Sequence, residues 1–405
     1  MTEAELRSLL RETPIPVTEN AERRGLAVAS EAFAQRRRQQ RPLLPRVAIA
    51  VAIAALLGAL LLSPAGAAVR DWVDEVFTAG VPNAEPGLTE IPGGGRLLVQ
   101  SAGGPWVVQP GGSRRLLGDY SEATWSPRGL YVAVASGRTL SAVEPGGTPH
   151  WSLTASGAVS VPRWSPSGFR IAYRAGRELR VTAADGSGDH PIEAGTAAVA
   201  PAWSPLGLSQ LAYVDRAGDL RLADSESGAS AGAGAALPGI VELEWGGDGA
   251  TLLEVSPTAV RLRRTRVEKL AERVGVGAGR RLALPPGAVI RDAALSPRGG
   301  TVALLVGLGR RRGERSAVLL FDVRSGAPRR LLSVPGRLSE LAFSPDGGRL
   351  LIAWPEADQW LFLPTARGAG HALGEVSGAF APGAGAPAFP RVEGWCCRRS
   401  IAARG

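Results

Sequence analysis

Trp125-Ser126-Pro127-Arg128-Gly129 is a turn motif that this chain repeats. It returns as Trp164-Ser165-Pro166-Ser167-Gly168 and as Trp203-Ser204-Pro205-Leu206-Gly207. Looser copies follow at Trp245-Gly246-Gly247-Asp248-Gly249, Leu295-Ser296-Pro297-Arg298-Gly299 and Phe343-Ser344-Pro345-Asp346-Gly347. The anchor positions 125, 164, 203, 245, 295 and 343 are 39, 39, 42, 50 and 48 apart. A period near ~40 residues marks a repeat architecture.

Each anchor has the same neighbours. A short apolar run follows the Gly, such as Tyr131-Val132-Ala133-Val134, Ile171-Ala172-Tyr173 or Leu350-Leu351-Ile352-Ala353-Trp354. These runs have strand length and β-forming composition. A tight turn, a second strand, a Gly turn and a last short strand complete the unit. With the strand that carries the anchor, that makes four antiparallel strands. In the anchor, Pro sets φ at the first central turn position and Gly accepts the positive φ that closes it. The Ser hydroxyl can bond the turn backbone, and the Trp, Phe or Leu ends a strand as an apolar wedge. One such sheet cannot bury both faces, but radial stacking of several can, so the fold class is all-β and the architecture a β-propeller.

The ends set the blade count. Ile91-Pro92-Gly93-Gly94 is a worn anchor, with strands expected at Leu97 to Gln100, Trp106 to Gln109 and Arg115 to Leu117. Phe380-Ala381-Pro382-Gly383 matches Phe343-Ser344-Pro345-Asp346 at the other end. If the last segment completes the first blade, seven blades close the ring; six is the alternative.

The W-S-P-x-G turn, followed by I-A-Y or V-A-V and a D-G-type turn, resembles the TolB-type, WD-repeat-like β-propeller repeat of bacterial envelope proteins. The resemblance covers about residues 90 to 390. It speaks for the fold and little for function, because this repeat serves many roles. Units from 245 onward lose the full Trp-Ser-Pro core and carry insertions.

The chain has 405 residues, 53 Gly, 31 Pro and a formal net charge of +9. Lys269 is its one lysine among 46 basic residues. The arginines are scattered, with no basic stripe interleaved by aromatics, so nucleic acid is not an expected partner. Residues 1–46 read as a short helical, cytoplasmic segment whose last helix ends in Arg36-Arg37-Arg38, with Arg41 and Arg46 beyond. Val47 to Val69 has no charged residue and is long enough to span a bilayer. The arginines before it and the acidic Asp71, Asp74 and Glu75 after it put the N-terminus in the cytoplasm. An uncleaved bacterial membrane anchor is preferred to a signal peptide, whose basic leader is shorter. Residues 70–90 read as a juxtamembrane helix and linker, 91–395 as the propeller and 396–405 as a tail.

Residues 229–238 read as a low-complexity loop. Residues 261–281 read as a solvated, charged strand and loop, with a short rim helix as the alternative. Asp185 to Asp189 is a hairpin turn rather than a calcium loop. His150, His190 and His371 are far apart in sequence, and no zinc spacing or G-x-S-x-G elbow is present. No catalytic residue, metal ligand or cofactor site is therefore assigned. Cys396-Cys397, the only cysteines, either form a ring disulfide or stand as thiols at the end of the closing strand.

The expected function is a membrane-tethered, extracytoplasmic binding module for a protein, peptide or glycan. The alternative is a single-pass sensor in which residues 1–46 address a cytoplasmic partner, although that segment has no His or Cys for a zinc-type anti-sigma module. A third class is an envelope hydrolase or lyase working in the central channel; acidic residues gathered there would raise it.

Overall fold

The computed structural model describes residues 84–206, 209–268, 273–309, 314–381 and 388–397. The expected cytoplasmic segment 1–46, the apolar span 47–69, the run 70–83, Gly207 and Lys269 lie outside them. No described helix is long and apolar enough to cross a membrane.

The anchor turn builds one geometry at Ser126, Ser165, Ser296 and Ser344. The Ser126 N–H donates to the Tyr131 carbonyl at 2.9 Å, and the Gly129 N–H donates to the Ser126 carbonyl at 2.8 Å. The Ser126 hydroxyl accepts the Tyr131 N–H at 3.0 Å. Ser165, Ser296 and Ser344 accept the N–H of Arg170, Thr301 and Arg349 in the same way. Gly129 has φ 63°, a conformation in which a Cβ is strained.

Seven such sheets form a seven-bladed β-propeller. Blade 2 consists of Glu122–Trp125, Val132–Ser136, Thr139–Val143 and Pro149–Thr154. Blade 3 runs from Val159–Trp164 through Arg170–Ala175 and Glu178–Ala183 to His190–Glu193. Blade 4 holds Ala202–Trp203, Gln210–Val214, Asp219–Asp224 and Ser230–Ala235. Blade 5 holds Glu242–Trp245, Thr251–Ser256, Ala259–Glu268 and Arg273–Arg281. Blade 6 holds Val289–Leu295, Thr301–Leu308, Arg315–Asp322 and Pro328–Pro335. Blade 7 holds Leu341–Phe343, Arg349–Trp354, Gln359–Pro364 and His371–Gly374.

Blade 1 is assembled from both ends of the propeller. Arg96–Ser101, Gly104–Val108 and Arg114–Leu116 come from its start, and Arg391–Cys396 adds the innermost strand, with Leu97 opposite Trp395. The start of the ring also lends a strand to blade 7: Ala84–Pro86 pairs in parallel with His371–Gly374. The chain therefore crosses the closing seam twice. A ring closed this way leaves no open sheet at the seam.

The core lies between blades. Strand alternation sends Val302, Leu304 and Val306 into the seam with blade 5, and Ala303 and Leu305 into the seam with blade 7. One apolar cluster fills each of the seven seams.

Several expectations need correction. Residues 84–86, expected in a linker, form a strand because Gly374 of blade 7 offers an open edge to pair with. Phe380 is not a strand-end anchor. It follows a short helix, Val376–Ala379, and packs its ring 5.5 Å from Trp360 and 5.8 Å from Trp106. Trp395 takes the anchor place instead, inside the closing strand, so Cys396 belongs to the propeller and not to a tail. Residues 230–235 are the outer strand of blade 4, not a loop.

Residues 261–281 fall on two strands, Ala259–Glu268 and Arg273–Arg281, as the strand reading expected and not on a rim helix; Arg264, Arg266, Arg280 and Arg281 are exposed, but Arg261 and Arg263 are not simply solvated. Arg263 is buried, and with Arg261 it flanks the carboxylate of Glu254, which is fully buried. Their guanidinium groups also donate to the carbonyls of Ala233 and Ala235. The small side chains of 230–235 let the guanidinium groups reach that backbone, and the arginines in turn fasten a strand that has little apolar surface.

Trp164 and Trp203 are 8% and 6% exposed, and Trp125 is half-buried with the Arg96 guanidinium 4.9 Å from its ring centre. Trp164→Ala and Trp203→Ala are expected to cost about 3–5 kcal/mol each, the range for a core Trp. Trp125→Ala should cost less because its ring already meets water. Urea unfolding midpoints test this ranking, and equal losses at all three positions would contradict it.

Candidate functional site

The seven innermost strands surround a central channel with a cavity of about 880 Å³. Alternation along each strand decides what lines it. Residues three and one before the anchor turn inward, while the anchor and the residue two before it face the seams. Leu243 and Trp245, or Leu341 and Phe343, thus belong to seam clusters.

The position three before the anchor is acidic on four blades. Glu122, Glu242, Asp292 and Glu340 each stand three residues before their anchor, where blades 3, 4 and 1 have Val161, Ala200 and Val392. Glu244 stands one residue before its anchor. Glu393 enters by a β-bulge, because Leu98 pairs with Gly394 and Val99 with Val392, which leaves Glu393 between them. Glu242, Glu244, Asp292, Glu340 and Glu393 line the channel together with Arg163, Arg391 and Arg291, the last paired with Glu314. The Arg391 guanidinium pairs with Glu393 at 3.0 Å.

Three of the carboxylates tie blades together. Glu122 accepts the N–H of Val161 at 2.5 Å, Glu244 that of Leu295 at 2.9 Å and Asp292 that of Leu341 at 2.6 Å. Each bond crosses from one blade to the next. Glu340 accepts the Ser339 hydroxyl at 2.6 Å. The Glu242 side chain has no hydrogen bond or ion pair among the described residues.

Burial pushes the five channel carboxyls toward the protonated state. It raises Asp292 to about 7, with Glu340 and Glu244 adding repulsion and the Leu341 N–H opposing. It raises Glu244 to about 7 against the pull of the Leu295 N–H and Arg163. Glu242 rises well above the usual range, first by burial and then by the charges of Asp292 and Glu244. Glu340 and Glu393 also rise by burial, with Arg391 opposing. These side chains keep some surface toward the channel, yet protein crowds them on the other sides. A cation entering there would restore the charge balance that protons now supply.

The residues singled out in the sequence are spread around the ring. Trp164, Trp203, Trp245, Phe343 and Trp395 border the channel wall, together with Pro166, while Trp125 does not. The turns contact one another in a circuit. A Cβ on Gly168 would lie 3.9 Å from Pro127, one on Gly347 would lie 3.5 Å from Pro297, and one on Gly95 would lie 3.2 Å from Pro345. Pro205 joins Pro166 around a small cleft between blades 3 and 4. His150, His190 and His371 are not gathered, and among the described residues no group of His, Cys, Asp or Glu is arranged to hold a metal. The acidic channel was missed from sequence, although the acid three places before the anchor at 122, 242, 292 and 340 was a signal for it.

The chain matches no protein-family model and no curated protein. Among solved structures, a putative 6-phosphogluconolactonase from Bacteroides uniformis is similar at TM-score 0.50 and 14% identity, over 69% of this chain and 95% of that one. Hsv2p of Kluyveromyces lactis is similar at 0.49 and 14%, over 66% and 88%. TolB from Acinetobacter baumannii is similar at 0.40 and 19%, over 60% and 64%. At these identities the likeness concerns fold alone.

Proposed function

We propose that this protein is a membrane-tethered binding propeller, and that its acidic channel takes a cationic group of a peptide or protein. One observation carries the ligand class: five carboxyls line the channel with Arg163, Arg291 and Arg391, of which Arg291 is already paired with Glu314, in a chain whose formal charge is +9. The tether rests on the apolar run Val47 to Val69 and the arginines before it. A reporter fused after Gly405 should be active only outside the cytoplasm. Activity inside the cytoplasm would remove that location.

An oligolysine peptide is the direct probe of the channel. Its affinity should rise about tenfold or more from pH 5 to pH 8, as Glu244 and Asp292 ionise, and binding should release protons to the buffer. Glu242→Gln should weaken it further. Equal binding of an oligoglutamate peptide, or indifference to Glu242→Gln, would defeat the cationic reading.

A second reading draws on the same carboxyls. Groups poised near pH 7 suit general acid or base catalysis, so a channel hydrolase or lyase is the competing function. Turnover of a glycan or peptide that Glu244→Gln abolishes while binding persists would favour it.

A further inference from the structure

Trp395-Cys396-Cys397 stands where Trp125-Ser126-Pro127 stands in blade 2. In blades 2, 3, 4, 6 and 7 the second residue after the anchor is Pro, whose ring holds the turn. Blade 1 has no proline there. It also lacks a continuous turn, since its inner strand ends at Cys396 while the next strand begins separately at Arg96. The structure joins Cys396 and Cys397 in a disulfide at this break.

The sulfurs sit on the neighbouring blade. Cys396 Sγ lies 3.9 Å from the Ser126 carbonyl and Cys397 Sγ lies 4.0 Å from that of Pro127. A Cβ on Gly129 would stand 2.5 Å from Cys397 Sγ and 3.0 Å from Cys396 Sγ, and would overlap Arg96 Nη2. Arg96 donates to the Gly129 carbonyl at 2.7 Å, so a guanidinium and both sulfurs crowd one turn. Both cysteines are half-buried, leaving the bond within reach of a reagent in solution.

We propose that the Cys396–Cys397 disulfide is a thiol–disulfide exchange site that acts as a redox latch on ring closure, with a dithiol as its co-reactant. A thiolate of the dithiol attacks Cys397 Sγ, forming a mixed disulfide as the Cys396–Cys397 bond breaks. The bond's electron pair leaves on Cys396 Sγ, where the Arg96 guanidinium favours the thiolate. The second thiol of the reagent then displaces Cys397. The dithiol loses two electrons and two protons and becomes a cyclic disulfide, and the cysteines end as two thiols. The open form has no covalent ring at the end of the closing strand, where blades 2, 3, 4, 6 and 7 have proline, so that strand frays from its end. Closing so short a loop removes little entropy from the unfolded chain, so the effect is local rather than global.

The test is hydrogen exchange on the full chain, with and without dithiothreitol, with intact mass reporting the thiol state. On reduction, amides of 391–396 and 122–129 should exchange about tenfold faster while blades 3 to 6 stay unchanged. The variant C396S/C397S should show the faster pattern without reductant and no further change with it. Arg96→Gln should slow reduction several-fold by removing the charge that favours the leaving thiolate. Two free thiols in protein held under oxidising conditions, or unchanged exchange after complete reduction, would overturn the latch.

Discussion

Between about pH 5 and pH 8 the propeller is expected to lose on the order of 3 kcal/mol of unfolding free energy through its channel carboxyls. Asp292 and Glu244 are held at about 7 in the folded chain, whereas the unfolded chain ionises such groups near ~4. Between those values the folded state binds more protons than the unfolded state. Stability therefore falls as pH rises through the window, and the loss is complete once both groups are ionised in the fold. This is opposite to a salt-bridged carboxylate, which stabilises above its unfolded value. Asp292→Asn and Glu244→Gln should each flatten the slope, and together they should remove most of it. Glu244→Gln can keep an oxygen for the Leu295 N–H, and Asp292→Asn can do the same for Leu341. Urea titrations at pH 5, 6, 7 and 8 supply the curve. Stability that rises across this range would show that the channel carboxyls are solvated.

Glu254→Ala is expected to destabilise the protein by about 3–5 kcal/mol, the cost of leaving buried charge without its partner. Glu254 is fully buried at the seam between blades 4 and 5. It accepts the Leu237 N–H at 2.8 Å and Arg261 Nε at 3.0 Å, and it pairs with Arg263. Without it, two guanidinium groups face each other with only the Ala233 and Ala235 carbonyls to receive them. The damage should spread to the outer strand of blade 4, whose Ser-Ala-Gly-Ala-Gly-Ala sequence offers no apolar anchor of its own. Replacing the whole triad with Leu and Met of similar volume should cost clearly less than Glu254→Ala alone, because no charge is then stranded. Hydrogen exchange at 230–235 and urea midpoints report the two effects. A loss under about 1 kcal/mol for Glu254→Ala would mean that the arginines reach water.

The sequence by itself determined the repeat and, through it, the propeller. The reason is local: Pro, Gly and a Ser hydroxyl close the anchor turn with bonds to residues five positions away, so the motif carries its own geometry. Apolar alternation after each turn likewise specified strands with two buried faces. Closure was legible only in outline. That the last strand joins the first blade is a matter of ring count, but its identity is not. Trp395-Cys396-Cys397 has the anchor's wedge without its Ser-Pro signal, while Phe380 has the signal without the place.

Only the tertiary structure decided the rest, because those features depend on residues far apart in the chain. Arg261 and Arg263 look solvated until Glu254 and the bare backbone of 230–235 are brought against them. Glu242, Glu244, Asp292, Glu340 and Glu393 are scattered over some 150 positions of sequence, and radial packing alone aims them at one axis. Burial on that axis, and not the residue type, raises the proton affinity of Glu242, Glu244 and Asp292.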